Sequence, residues 1–200
     1  MTVSRCNFDG LGPSSPPADF QWFHVVLTTY GAWLPGDQRG FRTRNHRLHV
    51  PGDYKSPPPR EMFSSTLRRS RGLLKYPPVR LDERWRSFVG VALVSRLRDL
   101  GGFVYSAAVS EGHLHLLVKL PAAKTREWVG LAKKHAWFAA RERGWVGKLW
   151  AKRAKFEPVR DRRHLVNVLR YVIAHEAQGA WVWVWEGISD ELVERLRPAK

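Results

Sequence analysis

Cysteine is almost absent: Cys6 stands alone in 200 residues. A single thiol excludes a disulfide framework and any Cys-based zinc site, and it fits a reducing, cytoplasmic setting. Long apolar runs are missing too. Nothing approaches the roughly 18 continuous apolar residues of a membrane span, and the first twenty residues lack the apolar segment of a secretory signal, so no membrane partner is expected. Acid is scarce: 18 Asp and Glu stand against 34 Lys and Arg, leaving +16 and a pI of about 10.8. The rest is ordinary for a folded chain, with 44% hydrophobic and 26% charged residues, near globular averages. The length is about one domain's worth.

Such a field attracts polyanions, nucleic acid first among them. The charge is also concentrated. Segments 41–80 and 121–160 carry a net +8 each, while the rest of the chain nearly cancels. A surface charged only for solubility has no need of that clustering; the plain alternative is two basic loops without a partner.

Residues 1–19 read as a flexible tail. The aromatic and β-branched run Trp22–Tyr30 predicts a strand. From Gly31 to Arg80, repeated proline and Pro-Gly pairs broken by basic residues predict a long irregular insertion. Asp82 is placed to cap a helix running to about Leu100, stopped by Gly101-Gly102. Phe103–Val109 and His113–Leu120 predict two strands joined through Ser110-Glu111-Gly112. A second helix is expected over about Lys124–Arg143, a fourth strand over Leu149–Val159, and a third helix over Asp161–Gln178. Trp181–Trp185 alternates as a strand does, and Ser189 is placed to cap a short last helix. The order β-α-β-β-α-β, then a helix, predicts an α+β, ferredoxin-like (split β-α-β) antiparallel sheet with two helices on one face and an additional C-terminal helix. The domain is expected over 20–180, with the insertion at about 31–80 and an extension over 181–200.

Alternate residues of a strand share a face. In His113–Leu120 one face is Leu114, Leu116, Val118 and Leu120; the other is His113, His115, Leu117 and Lys119. The two imidazoles project side by side, close enough to reach one cation; the alternative is a solvated strand face. On the third helix, His164, Asn167, Tyr171, His175 and Gln178 form a polar stripe. Leu165, Val166, Leu169, Val172 and Ile173 lie opposite. Tyr171 and His175, at i and i+4, are neighbours, although Tyr171 also suits a boundary tyrosine with a buried ring and a wet hydroxyl.

Taken together, "EGHLHLLVKL" (111–120), the basic helix after it and "LVNVLRYVIAH" (165–175) resemble the HUH single-tyrosine transposases, which include the REP-associated tyrosine transposases and relatives from bacterial insertion sequences. "FHVVLTTYGAWLPGDQRGF" (23–41) is similar to the opening of a subgroup of them, and the resemblance covers about residues 20–180. It implies an endonuclease that cuts and rejoins single-stranded or hairpin DNA, with His113 and His115 as metal ligands and Tyr171 as catalytic nucleophile. The polar residue expected one turn beyond the tyrosine is commonly Asn or Gln in the family and is His175 here, which leaves His175, Gln178 or a water for the third ligand place. His164, Asn167 and Gln178 are candidates for support. The family implies Mg²⁺ or Mn²⁺; imidazole ligands make Mn²⁺ chemically comfortable.

The implied chemistry is attack by the phenol on a scissile phosphate, giving a 5′-phosphotyrosine link and a free 3′-hydroxyl, reversed when another 3′-hydroxyl attacks the link. For DNA binding the sequence offers Lys124, Arg126, Lys133, Lys134, Lys148, Lys152, Arg153 and Lys155 in one tract. Arg42, Arg44, Arg47, Arg68, Arg69 and Arg71 form the other. Trp33, Trp145 and Trp150 are candidates for base stacking. The Trp181-Val-Trp-Val-Trp alternation is read as structural packing or a homodimer contact. Two rival functions remain: a non-catalytic nucleic-acid-binding regulator of the RRM kind, for which Phe103 and Tyr105 speak, and a metallohydrolase using activated water, for which no HExxH or carboxylate-rich motif speaks.

Overall fold

A computed structural model describes residues 19–42, 49–50, 59 and 61–197. A five-stranded sheet runs through its middle. Strands β1 (Phe20–Thr29), β4 (Phe103–Val109), β5 (His113–Pro121), β6 (Trp150–Pro158) and β7 (Trp181–Val184) lie in the order β6-β1-β5-β4-β7, every neighbouring pair antiparallel. Two short strands, β2 (Phe41–Arg42) and β3 (His49–Val50), pair with each other apart from it. The helices are α1 (Ser64–Gly72), α2 (Glu83–Asp99), α3 (Thr125–Glu142), α4 (Arg162–Ala174) and α5 (Asp190–Leu196). The first four strands of the main sheet with α2 and α3 make the expected α+β split β-α-β frame, and α4 is the additional helix.

Strand alternation divides the interior in two. Phe23, Val25 and Leu27 of β1 and Leu114, Leu116, Val118 and Leu120 of β5 turn to one face, where Val89, Leu93 and Leu97 of α2 and Val129, Ala132 and Ala136 of α3 bury them. On the other face Trp22, Tyr105, Ala108 and Leu117 meet Leu165, Val168, Leu169, Val172 and Ile173 of α4, closed by Ile188 and Leu196. Each large side chain so covered contributes about 1.5–3 kcal/mol.

Capping sets the helix starts. The Asp82 carboxylate accepts the Trp85 amide at 2.8 Å, and the Asp161 carboxylate accepts the His164 amide at 2.7 Å. The third predicted helix is α-helical to Ala174 and continues as a 3₁₀ turn over His175–Gln178, ending where Gly179 takes φ +75°.

The chain departs from expectation within 31–80 and beyond 180. The insertion is not wholly irregular: α1 lies within it, and Val79 and Leu81 enter the first core. Residues 31–40 form a hydrogen-bonded loop in which Trp33 Nε1 donates to the Gly40 carbonyl at 2.6 Å. Past residue 180 the chain is not a separate extension, because β7 pairs with β4 as the fifth strand. Residues 1–18, Arg44 and Arg47 lie outside the described residues, and of Arg42 only its place in β2 is described. Among the described residues no helix is long and apolar enough to cross a membrane.

Candidate metal centre and nucleic-acid interface

The histidine face of β5 is the face that α4 covers. Register fixes a row across the sheet: Lys155 of β6 stands beside Val26 of β1, Val26 beside His115 of β5, and His115 beside Ala108 of β4. The apolar residues of α4 seat it on Leu117 and its neighbours, which brings the helix's polar stripe over the imidazoles. Tyr171 and His175, one turn apart, then close on β5 from above.

Ring centroids measure the convergence. His115 lies 4.9 Å from His113 and 4.6 Å from His175, and His113 lies 5.6 Å from His175. One ring nitrogen from each of the three falls within 4.8 Å of the others. The Tyr171 ring stands edge-on to His115 at 5.0 Å and to His175 at 4.7 Å. The phenol is 49% exposed at the rim, whereas His115 and His175 are buried beneath it.

The donor set suits a cation. Burial holds the His115 imidazole down to about 2, with the neighbouring histidines adding to the effect, and burial also lowers His113. Both rings are therefore neutral at pH 7 and carry a lone pair. His175 Nδ1 lies 2.8 Å from the Tyr171 carbonyl. A carbonyl only accepts, so the His175 proton sits on Nδ1 and, in the neutral ring, Nε2 is free to ligate. His115 Nε2 is buried with no hydrogen-bond partner, an expense a bound ion would remove. Burial raises the Tyr171 phenol above its ordinary value, and the Lys155 charge pulls it partly back.

Sequence reasoning missed His24. It sits on the same face of β1 as Trp22, and its Nε2 lies 3.0 Å from His115 Nδ1, the two rings end to end with their planes 27° apart. Burial lowers His24 to about 4, with nearby Glu157 opposing. The available signal was its place on the outward parity of the first strand; what could not be read was the register that sets it beside His115.

The other predicted residues divide. Lys155 shares the His115 row and pairs with Glu157 at 2.8 Å. Lys152 and Arg153 are exposed where β6 departs from regular register with β1. His164 serves the start of α4, its Nδ1 accepting the Arg160 amide at 3.2 Å, while Asn167 and Gln178 are exposed. Lys124, Arg126 and Lys134 are exposed on or just before α3, which packs on the sheet face opposite the imidazoles. Lys133 is not a free surface cation: its ammonium donates to the Ala151 carbonyl at 2.8 Å, and burial lowers its pKa. Trp145 stacks edge-on against Trp85, and Trp150 Nε1 donates to the Lys133 carbonyl, so both belong to the packing; Trp33 stays half exposed.

Beside His113 opens a cleft of about 700 Å³, bordered by Arg39, Arg71, Arg80, Glu111 and Gly112. Its wall is the 31–40 loop. Burial pushes Asp37 up, but hydrogen bonds from Arg39 carry it below the ordinary range. The Arg39 guanidinium bonds both Asp37 oxygens, at 2.8 and 2.6 Å, and lies over the Trp33 ring. Gly36, at φ +93°, presses against the α1 backbone near Leu67, where a side chain would collide.

Fold and site together define an antiparallel α+β protein with a three-imidazole centre and a tyrosine at its rim. No family model matches the chain, and no curated protein matches it in sequence. Among solved structures, the chain is similar to a REP-associated tyrosine transposase bound to a REP hairpin. The identity is 10% and the TM-score 0.45, over 80% of this chain and 68% of that one. A likeness of that degree carries no inference, and the sheet order and ring geometry stand without it.

Proposed function

We propose that this chain is a metal-dependent single-stranded DNA endonuclease and strand transferase of the HUH single-tyrosine kind. The observation that carries the proposal is the meeting of Tyr171 with His113, His115 and His175, contributed by two distant elements, around one small volume.

A divalent ion, Mn²⁺ or Mg²⁺, held by the three imidazoles would supply Lewis-acid polarisation of a scissile phosphate. Tyr171 attacks phosphorus from the exposed rim. The Tyr–O–P bond forms, the P–O3′ bond breaks, the phenolic proton leaves to solvent and the departing 3′-oxygen takes one up. Attack by another 3′-hydroxyl reverses the step and joins strands without a nucleotide cofactor. Lys155, whose charge reaches the phenol, favours the phenolate over the phenol. The cleft beside His113 takes the unpaired strand next to the cut, with Arg39, Arg71 and Arg80 facing its phosphates. The basic residues of α3 meet only DNA that wraps past β6 to the far face of the sheet.

An RRM-like regulator would need free aromatic rings on the outer sheet face. Trp22 and Tyr105, on that face, are 4% and 3% exposed beneath α4, which favours the enzyme.

The test is incubation with labelled single-stranded hairpin DNA and Mn²⁺, followed by denaturing electrophoresis. A covalent protein–DNA band is expected, lost in Tyr171→Phe and in EDTA. Cleavage without an adduct would instead indicate activated water, and binding without cleavage under every divalent metal would indicate the regulator.

A further inference from the structure

We propose, on the footing that the three imidazoles hold a divalent ion, that His24 is a positioning residue: it accepts the Nδ1–H of His115 and so keeps His115 Nε2 a bare lone pair facing that ion. A neutral imidazole carries one N–H. The 3.0 Å contact between His24 Nε2 and His115 Nδ1 therefore has two possible directions, and they differ in what they leave at the other end of His115.

If His24 donates, the His115 proton sits on Nε2. That atom is buried and has no acceptor, so the arrangement leaves an unpaired donor and destroys a ligand. If His115 donates, Nε2 holds a lone pair among the other imidazoles, ready for a cation. A metal-binding cluster selects the second arrangement. His175 is fixed in the same sense by the Tyr171 carbonyl; His115 turns to a side chain for the equivalent service, as ligating histidines commonly do.

The sheet holds His24 in place. Val26 is the cross-strand partner of His115, and His24 lies two residues along on the same face, a diagonal that a ring can span. β1 is hydrogen-bonded on both sides, to β5 and β6. The two rings meet end to end, their planes 27° apart and their centroids 5.2 Å apart, which keeps the 3.0 Å N···N contact close to both ring planes, as a hydrogen bond between imidazoles requires.

Two measurements test this. Long-range ¹H–¹⁵N NMR of the histidine rings reads the His115 tautomer directly in the wild-type chain, without any variant. Titration calorimetry with Mn²⁺ compares wild type, His24→Leu and His24→Gln, the last able to place an acceptor oxygen near the old Nε2. His115 is expected in the Nδ1–H form. Mn²⁺ binding should weaken about 10- to 100-fold in His24→Leu and recover to within about threefold of wild type in His24→Gln. An Nε2–H tautomer for His115, or folded His24→Leu binding Mn²⁺ as tightly as wild type, overturns the role of His24 alone. Wild-type protein that takes up neither Mn²⁺ nor Zn²⁺ overturns the metal centre, and the role of His24 falls with it.

Discussion

Lowering the pH of the metal-free protein from 7 to 5 perturbs the histidine cluster before it perturbs any carboxylate. Burial holds His115 down to about 2 and His24 to about 4, whereas an unfolded histidine titrates near 6.5. Above pH 6.5 each ring is neutral in both states and contributes no pH dependence. Below it the unfolded chain binds protons that the native chain refuses, so stability falls as the pH falls, by about 1.4 kcal/mol per pH unit per ring. At pH 5 each of the two rings has cost about 2 kcal/mol, roughly 4 together. His113, lowered by the same burial, adds in the same direction. Nearer pH 4 the native His24 begins to titrate, and its contribution levels off. Glu157, held down by its hydrogen bond to Lys155, loses its stabilisation only below the carboxylate range, so the window from 6.5 to about 4.5 belongs to the imidazoles. A loss of that size is large against a typical 5–15 kcal/mol. Urea unfolding in EDTA, followed by tryptophan fluorescence at several pH values, measures it. The double variant His24→Gln/His115→Gln should flatten the slope by about two protons. Equal stability at pH 7 and pH 5, or a wild-type slope in the double variant, would refute the reasoning.

Gly90 lies inside α2, where alanine ordinarily stabilises by about 1 kcal/mol. A Cβ there would overlap the Trp181 ring of β7, and overpacking costs about 1–3 kcal/mol. Gly90→Ala should therefore be neutral to destabilising by up to about 2 kcal/mol in urea unfolding, and stabilising in a Trp181→Leu background; a gain in the wild-type background would contradict the close approach of α2 and β7. Lys155→Met removes the charge that eases Tyr171 ionisation while keeping the side-chain length. Adduct formation at pH 7 should slow several-fold, and the deficit should persist through pH 9 because burial holds the phenol above its ordinary value; an unchanged rate in the variant would remove Lys155 from the chemistry.

Much of the frame was legible because it is written in local periodicity. The alternation of His113 and His115 with Leu114 and Leu116, the two faces of α4, and the caps at Asp82 and Asp161 each need only a few adjacent residues. What escaped depends on which strand lies beside which. His24 is one of several polar residues in β1, with Gln21, Thr28 and Thr29, until the β1–β5 register places it against His115. Lys133 resembles the other lysines of its helix until the Ala151 carbonyl arrives from β6. Helix α1 buries no residue, so its sequence has no apolar stripe to betray it, and its arginines read as part of a loop. The face on which α3 lies follows from the crossover, which composition does not encode; hence one basic tract divided between the two sides of the sheet.

The two rims of the sheet differ in a way that bears on solubility. β7 is four residues long, while β6 has nine and, among the described residues, pairs only with β1. An open strand of that length is a template on which another copy can extend the sheet, the first step toward fibrils. Lys152, Arg153 and Lys155 stand along it, so a second copy approaching in strand-to-strand fashion would bring like charge against like charge, and protection from self-templating is built into that rim.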